Sequence, residues 1–311
     1  MWPRGLRLRA LAVTLCLTGA LLAPAGAEAV VDAAPVLHVR TIAAAGTTFA
    51  YAELGAGAPL LLLNGTASPM NEWDPALLEG LSRHARVIVI DYPGLGLSGP
   101  APGTWTFDAA AGWIAAFLDQ RLPGRAVDVL GWSMGGFIAQ RLAVDHPALV
   151  RRLVLAGTNP GGSQAVLGPA WVQRADSAAE ESAAAYLATN YPRTRTAQAA
   201  GRAFLGRLAA AVSSGAYPQE EVPARTQRAM VAAEAPWLRS DANAHDLASI
   251  GARTLVITGA QDVITPPVNS RRIAALMPNA TLALVPASGH SFLFQDPAAV
   301  AARVHAFLTG A

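Results

Sequence analysis

Lysine is absent from the 311-residue sequence, and cysteine occurs once, as Cys16. A single cysteine excludes an intrachain disulfide, and this one lies in the N-terminal segment described below. Charged residues make up only 14% of the chain, and every cationic side chain is arginine. They form no basic patch of the kind that binds nucleic acid, so we expect no nucleic-acid partner. Metal-ligand spacing, a phosphate-binding glycine loop and a dinucleotide fingerprint are also missing, so we expect no metal and no cofactor.

The N-terminal residues have the organisation of a secretory signal peptide. Three arginines precede a short apolar stretch at residues 11–22 and the small residues of Ala27-Glu28-Ala29. We predict that residues 1–29 are removed and that the protein is secreted or exported to the periplasm or cell envelope. Residues 25–27 offer a second cleavage site, and an uncleaved anchor is the alternative. Once the segment is removed we expect no stable membrane span.

Apolar stretches of strand length alternate with helical patterns along most of the chain. Strands are predicted at residues 36–42, 47–54, 60–63, 86–90, 127–130, 153–156, 254–258 and 281–285. The helices predicted between them include residues 75–82 with Asp74 as N-cap and residues 108–121 with Asp108 as N-cap. Unbroken apolar strands separated by helices are typical of a parallel sheet with both faces covered. The first two strands are predicted to be antiparallel.

The alternation stops between residues 159 and 250, where the composition indicates helices and no strand pattern occurs. We predict that residues 159–250 form a helical cap inserted into an α/β core of residues 30–158 and 251–311. The cap aromatics either contact an apolar substrate group or pack between helices. They are Trp171, Tyr186, Tyr191, Tyr217 and Trp237.

A buried-strand pattern at residues 127–130 leads into Gly131-Trp132-Ser133-Met134-Gly135, and a helical pattern follows up to Pro147. A serine at such a strand-to-helix turn is held in a strained conformation with its hydroxyl projecting from the sheet. Glycines flank it because a Cβ atom would collide as strand and helix approach each other. We predict that Ser133 is a nucleophile on this elbow.

A serine hydroxyl needs a neighbouring base. Of the six histidines, only His290 follows a predicted strand, on a loop at the sheet edge toward which the elbow points. His290 is therefore the predicted general base and acid.

The histidine in turn needs an acid that accepts its other N–H. Asp262 lies just beyond the strand at residues 254–258 and is the predicted acid, although an aspartate there could also cap a turn. Asp241 and Asp246 in the cap are the alternatives. The loop after the strand at residues 153–156 offers Asn159, which carries no charge.

Acyl transfer also needs N–H donors for a developing oxyanion. Met134 follows the nucleophile and opens the helix, so its N–H is one predicted donor. The second should come from the loop after the strand at residues 60–63, with Thr66 preferred to Gly65.

Several motifs in this order carry a family resemblance: Asn64-Gly65-Thr66 after a strand, residues 91–98, the elbow, residues 259–262 and residues 288–290. The chain resembles the capped serine hydrolases of the α/β-hydrolase family, in particular the esterase and haloperoxidase-like branch. The resemblance implies a mostly parallel eight-stranded sheet with helices on both faces, a helical cap and a Ser-acid-His triad in that chain order. Many relatives have His-Gly where this chain has Asn64-Gly65.

These observations predict an exported serine hydrolase that cleaves a carboxylic ester or a related lactone, thioester or amide of a small-molecule acyl substrate. Relatives with the same triad also perform cofactor-free perhydrolysis or hydrolytic carbon–carbon cleavage, which remain alternatives. A serine in place of an aspartate nucleophile argues against dehalogenation and epoxide hydrolysis. The alternative of another class is a non-catalytic ligand-binding protein on the same fold.

Overall fold

The computed structural model describes residues 34–176 and 182–310. The predicted signal peptide, residues 1–29, lies outside the described residues. Eight strands form one sheet in the order β1-β2-β4-β3-β5-β6-β7-β8. They are β1 (Arg40–Ala44), β2 (Thr47–Leu54), β3 (Pro59–Leu63), β4 (Arg86–Ile90), β5 (Val127–Trp132), β6 (Val150–Ala156), β7 (Arg253–Gly259) and β8 (Ala280–Val285). Strand β2 is antiparallel to both of its neighbours, and all the other pairings are parallel.

Eleven α-helices are assigned within the described residues. They are α1 (Pro75–Ser82), α2 (Phe107–Arg121), α3 (Met134–Asp145), α4 (Ala170–Asp176), α5 (Ala183–Asn190), α6 (Arg195–Ser213), α7 (Ala224–Arg239), α8 (Asp241–Asp246), α9 (Pro267–Leu276), α10 (Phe292–Gln295) and α11 (Pro297–Thr309). The predicted α/β fold with a mostly parallel eight-stranded sheet is confirmed. None of the helices in these two described ranges is long and apolar enough to cross a membrane.

Strand β3 is apolar along its whole length because helices cover both faces of the sheet. All five residues of β3 are buried, and their side chains alternate between two apolar clusters. Leu61 and Leu63 pack on the face covered by α2 and α3, whereas Leu60 and Leu62 pack on the face covered by α1 and α11. This two-sided burial explains why the sequence of β3 lacks the polar alternation of a half-exposed strand.

Two sequence predictions at the ends of elements were wrong. The first strand begins at Arg40 because the preceding segment leaves the sheet, and Leu37 N–H donates to the Ala216 carbonyl at 2.8 Å. Helix α2 is capped by Thr106, whose side chain accepts from Ala109 N–H, so Asp108 lies in the first turn. Asp74 caps α1 as predicted, accepting from Ala76 N–H.

Helices α4–α8 lie between β6 and β7, where the described residues contain no strand. Polar contacts tie these helices to the sheet-bearing part of the chain. Arg207 of α6 makes a bidentate pair with the buried Asp74, at 2.9 and 2.6 Å. Thr226 of α7 donates its hydroxyl to the Gly94 carbonyl at 2.7 Å. The helices therefore have fixed contacts to the strand-end loops beneath them.

Candidate active site

Ser133 sits between β5 and α3 with φ 54° and ψ −122°. A non-glycine residue in this region is strained, and the surroundings hold it there: its N–H donates to the Ala156 carbonyl at 2.9 Å. The flanking glycines are sterically required. A Cβ atom on Gly131 would lie 2.4 Å from the Gly135 carbonyl oxygen, and one on Gly135 would lie 2.1 Å from the Leu63 carbonyl oxygen. Strand, elbow and helix thus meet at backbone contact distance.

His290 and Asp262, which lie on the loops after β8 and β7, form a buried pair. The His290 Nδ1 to Asp262 Oδ2 distance is 2.8 Å, and the two residues are 3% exposed each. Asp262 Oδ1 accepts the N–H groups of Ile264 and Thr265, both at 2.9 Å. The Thr265 hydroxyl donates to Oδ2 at 2.8 Å. These donors stabilise the charged carboxylate and hold it in the orientation that pairs with the imidazole.

The imidazole is also packed from below and from the side. The Trp132 ring lies 5.3 Å from the His290 ring, centroid to centroid, and the Trp132 indole N–H donates to the His290 carbonyl at 3.2 Å. Gly157, at φ 53°, passes beneath the pair, where an added Cβ atom would lie 3.4 Å from His290 Nδ1. Trp132 therefore shapes the site as well as packing in the core.

The loop after β3 is organised by Asn64, which is buried. Its amide donates to the Pro69 carbonyl at 3.0 Å, and its side-chain oxygen accepts Gly65 N–H at 2.9 Å. Tyr92 donates its hydroxyl to the Asn64 carbonyl at 3.0 Å, and burial raises the pKa of that hydroxyl well above its ordinary value. Because Gly65 N–H is already bonded, this geometry favours Thr66 over Gly65 as an N–H donor to a ligand.

Ser133, His290, Thr66 and Met134 all line one cavity of about 330 Å³. Met134 is the first residue of α3, so its N–H has no acceptor within the helix. Much of the remaining wall is apolar, contributed by residues on both sides of the elbow and by the helices between β6 and β7. These residues are Phe137, Val172, Phe204, Leu208, Val222, Leu238, Ile264 and Phe294. The cavity also receives the side chains of Glu72 and Glu234, and the Thr66 hydroxyl donates to Glu234 at 3.1 Å.

The alternative acids have other partners. Asp241 Oδ1 accepts Ser163 N–H at 2.6 Å, which lowers the pKa of that carboxyl. Asp246 pairs with Arg141 at 2.7 Å. Asn159 lines the cavity and accepts the Trp237 indole N–H at 2.9 Å. Of the three aspartates considered, the structure places Asp262 against the imidazole.

Two acidic residues, Asp91 and Glu220, contact the segment that follows β3. The buried Asp91 accepts Met70 N–H and Leu97 N–H, both at 2.8 Å, and it is hydrogen-bonded to the side chain of Glu220. Glu220 accepts Asn71 N–H at 2.9 Å. Burial, the charge of Asp91 and the hydrogen bond to it raise the pKa of Glu220 to about 10, and burial raises that of Asp91 as well. The pair therefore holds a proton at neutral pH.

Sequence reasoning missed several residues at the site. Thr265, three residues after Asp262, follows the spacing at which a hydroxyl completes a turn, so a local signal existed. Asn190 and Tyr186 both form hydrogen bonds with Ser291, the residue after His290. No local signal identifies that group, because Ser291 lies about a hundred residues after Tyr186 and Asn190.

Comparison with known proteins identifies the family to which this chain belongs. Residues 58–297 match the family model described as the alpha/beta hydrolase fold. A solved alpha/beta hydrolase fold protein from Chitinophaga pinensis superposes with a TM-score of 0.79 at 25% identity, covering 90% of this chain and all of that one.

Two relatives add detail. The pimeloyl-[acyl-carrier protein] methyl ester esterase of Nitrosomonas europaea is 31% identical over 78% of this chain and 92% of its own length. The polyketide synthase ThaQ of Burkholderia thailandensis is 32% identical over 82% of this chain, which spans only 12% of that protein. The chain belongs to the α/β-hydrolase fold family, and it is a hydrolase.

Proposed function

We propose that the protein is a serine hydrolase that cleaves carboxylic esters or related acyl bonds through Ser133, His290 and Asp262. The observation that supports this most directly is the buried 2.8 Å contact between His290 and Asp262, with the imidazole lining the same cavity as a strained serine. An aspartate that accepts Nδ1–H leaves Nε2 of the imidazole as the base for the serine hydroxyl.

The reaction proceeds in two halves. Ser133 Oγ attacks the carbonyl carbon while His290 takes the hydroxyl proton, and the carbonyl oxygen becomes an oxyanion held by the N–H groups of Thr66 and Met134. The tetrahedral intermediate collapses to an acyl-enzyme when His290 returns the proton to the leaving alcohol. Water then repeats the sequence: His290 takes its proton, the hydroxyl attacks the acyl carbon, and Ser133 leaves as the alcohol. Each oxyanion donor is worth on the order of 3 kcal/mol in the transition state.

The cavity favours small to medium acyl groups. Its volume of about 330 Å³ and its aromatic and aliphatic wall suit an uncharged acyl chain of a few carbons. Similarity to a protein named as a methyl ester esterase supports esters ahead of lactones, thioesters and amides.

A fluorophosphonate probe tests the proposal directly. We expect wild-type protein to be labelled and Ser133→Ala not to be labelled, because the probe reacts only with an activated serine. Ser68→Ala is a matched control, since Ser68 also lines the cavity but lies off the elbow. Folded wild-type protein that does not react would indicate a binding protein. Labelling without turnover of any ester, lactone or amide would point instead to perhydrolysis or carbon–carbon cleavage.

We also propose export, on the basis of the N-terminal sequence alone. Intact mass measurement of protein recovered from outside the producing cell should give a chain that starts at Val30. A mass that includes the N-terminal arginines would refute removal of the segment.

A further inference from the structure

We propose that helix α5 positions the catalytic histidine, with Tyr186, Asn190 and Ser291 as positioning residues that act through the backbone of His290. The inference rests on the proposed function, because it assigns a task to residues around the proposed base. Its geometric basis is independent of the identity of the substrate.

The end of α5 contacts the residues on both sides of His290. The Asn190 carbonyl oxygen accepts Ser291 N–H at 3.2 Å. The same oxygen would lie 2.3 Å from a Cβ atom on Gly289, so the histidine loop approaches the helix end at backbone contact distance. Only glycine at this position allows that approach. The backbone of the loop is therefore fixed from the side that carries α5.

The side chains add a second set of contacts. The Ser291 hydroxyl donates to Asn190 Oδ1 at 3.0 Å, and its remaining lone pairs accept the Tyr186 hydroxyl at 2.8 Å. Ser291 is fully buried and Asn190 is 4% exposed. Removing the serine hydroxyl would leave a buried amide oxygen without this donor, which is unfavourable at a buried position. Ser291 is therefore held by two side chains of α5.

These contacts complete the restraint on the imidazole. Asp262 holds Nδ1, and the Trp132 indole holds the His290 carbonyl. Neither contact holds the residues on the two sides of His290. The bonds from Asn190 and Tyr186 to Ser291 add this restraint, together with the bond from Gln261 N–H to the Ser288 carbonyl at 2.9 Å. Proton transfer requires Nε2 within hydrogen-bond reach of Ser133 Oγ, and a shift of about 1 Å in such a contact lowers a rate roughly 100-fold.

Tyr186 and Asn190 also line the catalytic cavity. A substrate in the cavity therefore contacts the helix that holds the histidine. Helix α5 lies in the segment between β6 and β7. This segment therefore both encloses the substrate and positions the general base, His290.

Ser291→Ala tests the proposal, because it removes the hydroxyl contacts to Asn190 and Tyr186 and keeps the backbone N–H bond of residue 291 to the Asn190 carbonyl. We expect kcat on an activated ester to fall roughly 10- to 100-fold, with KM within about twofold. The low-field proton resonance of His290 Nδ1–H should broaden or move, and the acid limb of the kcat/KM profile should shift. Tyr186→Phe keeps the ring and the Ser291 bond to Asn190 but removes the Tyr186 hydroxyl, so it should change the same quantities in the same direction by a smaller factor.

Thr226→Val is the matched control, since Thr226 also joins a helix of this segment to the core but bonds to Gly94, away from the histidine loop. It should lower the thermal midpoint and leave kcat and the Nδ1–H resonance unchanged. The proposal is overturned if Ser291→Ala and Tyr186→Phe both retain wild-type kcat and an unchanged resonance. If Ser291→Ala does not fold, Tyr186→Phe decides alone. Wild-type protein without turnover, but with a resonance that Ser291→Ala alters, would refute the proposed function and leave the positioning role standing.

Discussion

Replacing Glu220 by glutamine should make the protein less sensitive to rising pH. In the folded protein Glu220 shares a buried contact with Asp91, and its pKa is raised from an ordinary 4.5 to about 10. Asp91 accepts two backbone N–H groups, which favour its charged form, whereas Glu220 accepts one, so we assign the shared proton to Glu220. The other Glu220 oxygen, Oε1, is buried and accepts no N–H or O–H from the described residues, which leaves room for a proton on it.

The direction of the pH effect follows from proton linkage. The folded chain keeps a proton on Glu220 that the unfolded chain loses above pH 4.5. The stability associated with this group is therefore fully present below that pH and is lost as the pH rises toward about 10. One proton corresponds to a slope of at most about 1.4 kcal/mol per pH unit, so the loss between pH 6 and 8 is at most about 3 kcal/mol.

Glutamine keeps both hydrogen bonds and does not titrate, since its amide oxygen accepts Asn71 N–H and its NH₂ group donates to Asp91. Urea unfolding at pH 5, 6, 7 and 8 measures the effect. We expect the free energy of unfolding of Glu220→Gln, relative to wild type, to increase steadily across this series. Glu221→Gln, at an exposed neighbouring position, is the control and should follow wild type. Parallel curves for wild type and Glu220→Gln would refute the shared proton.

Three further substitutions test other parts of the site. Asp262→Asn should lower kcat on the order of 10³- to 10⁴-fold by favouring the wrong imidazole tautomer, as steady-state kinetics would measure, and near-wild-type turnover would place the acid elsewhere. Thr66→Val keeps the proposed N–H donor and removes the hydroxyl bond to Glu234, so kcat should stay within about tenfold of the wild-type value. A larger loss of kcat would indicate that the Thr66 hydroxyl is itself a donor to the oxyanion. Gly135→Ala places a Cβ atom 2.1 Å from the Leu63 carbonyl oxygen. The nearest atoms all belong to the backbone, so no side-chain rotation can relieve the collision. We expect denaturant unfolding to show a loss of about 3 kcal/mol or more, and a soluble variant of wild-type stability would refute the close approach of helix and strand.

The sequence by itself determined the features that depend on neighbouring residues. Strand positions follow from runs such as that of β3, because a strand buried on both faces needs apolar residues throughout. The elbow is equally local: its glycines are needed where β5 turns into α3, and the structure shows the collisions that larger residues would make. Local reasoning failed where two residues competed for one task, as when Thr106 rather than Asp108 capped α2.

Only the tertiary structure decided which distant groups meet. The sequence left three aspartates as partners of His290, and the fold places Asp262 at 2.8 Å. It left Thr66 and Gly65 as alternative donors, and the fold occupies Gly65 N–H with the Asn64 side chain. The contacts of α5 with the histidine loop had no signal at all. Contacts between residues about a hundred positions apart in the sequence depend on how the helices pack against the sheet, and no local periodicity encodes that packing.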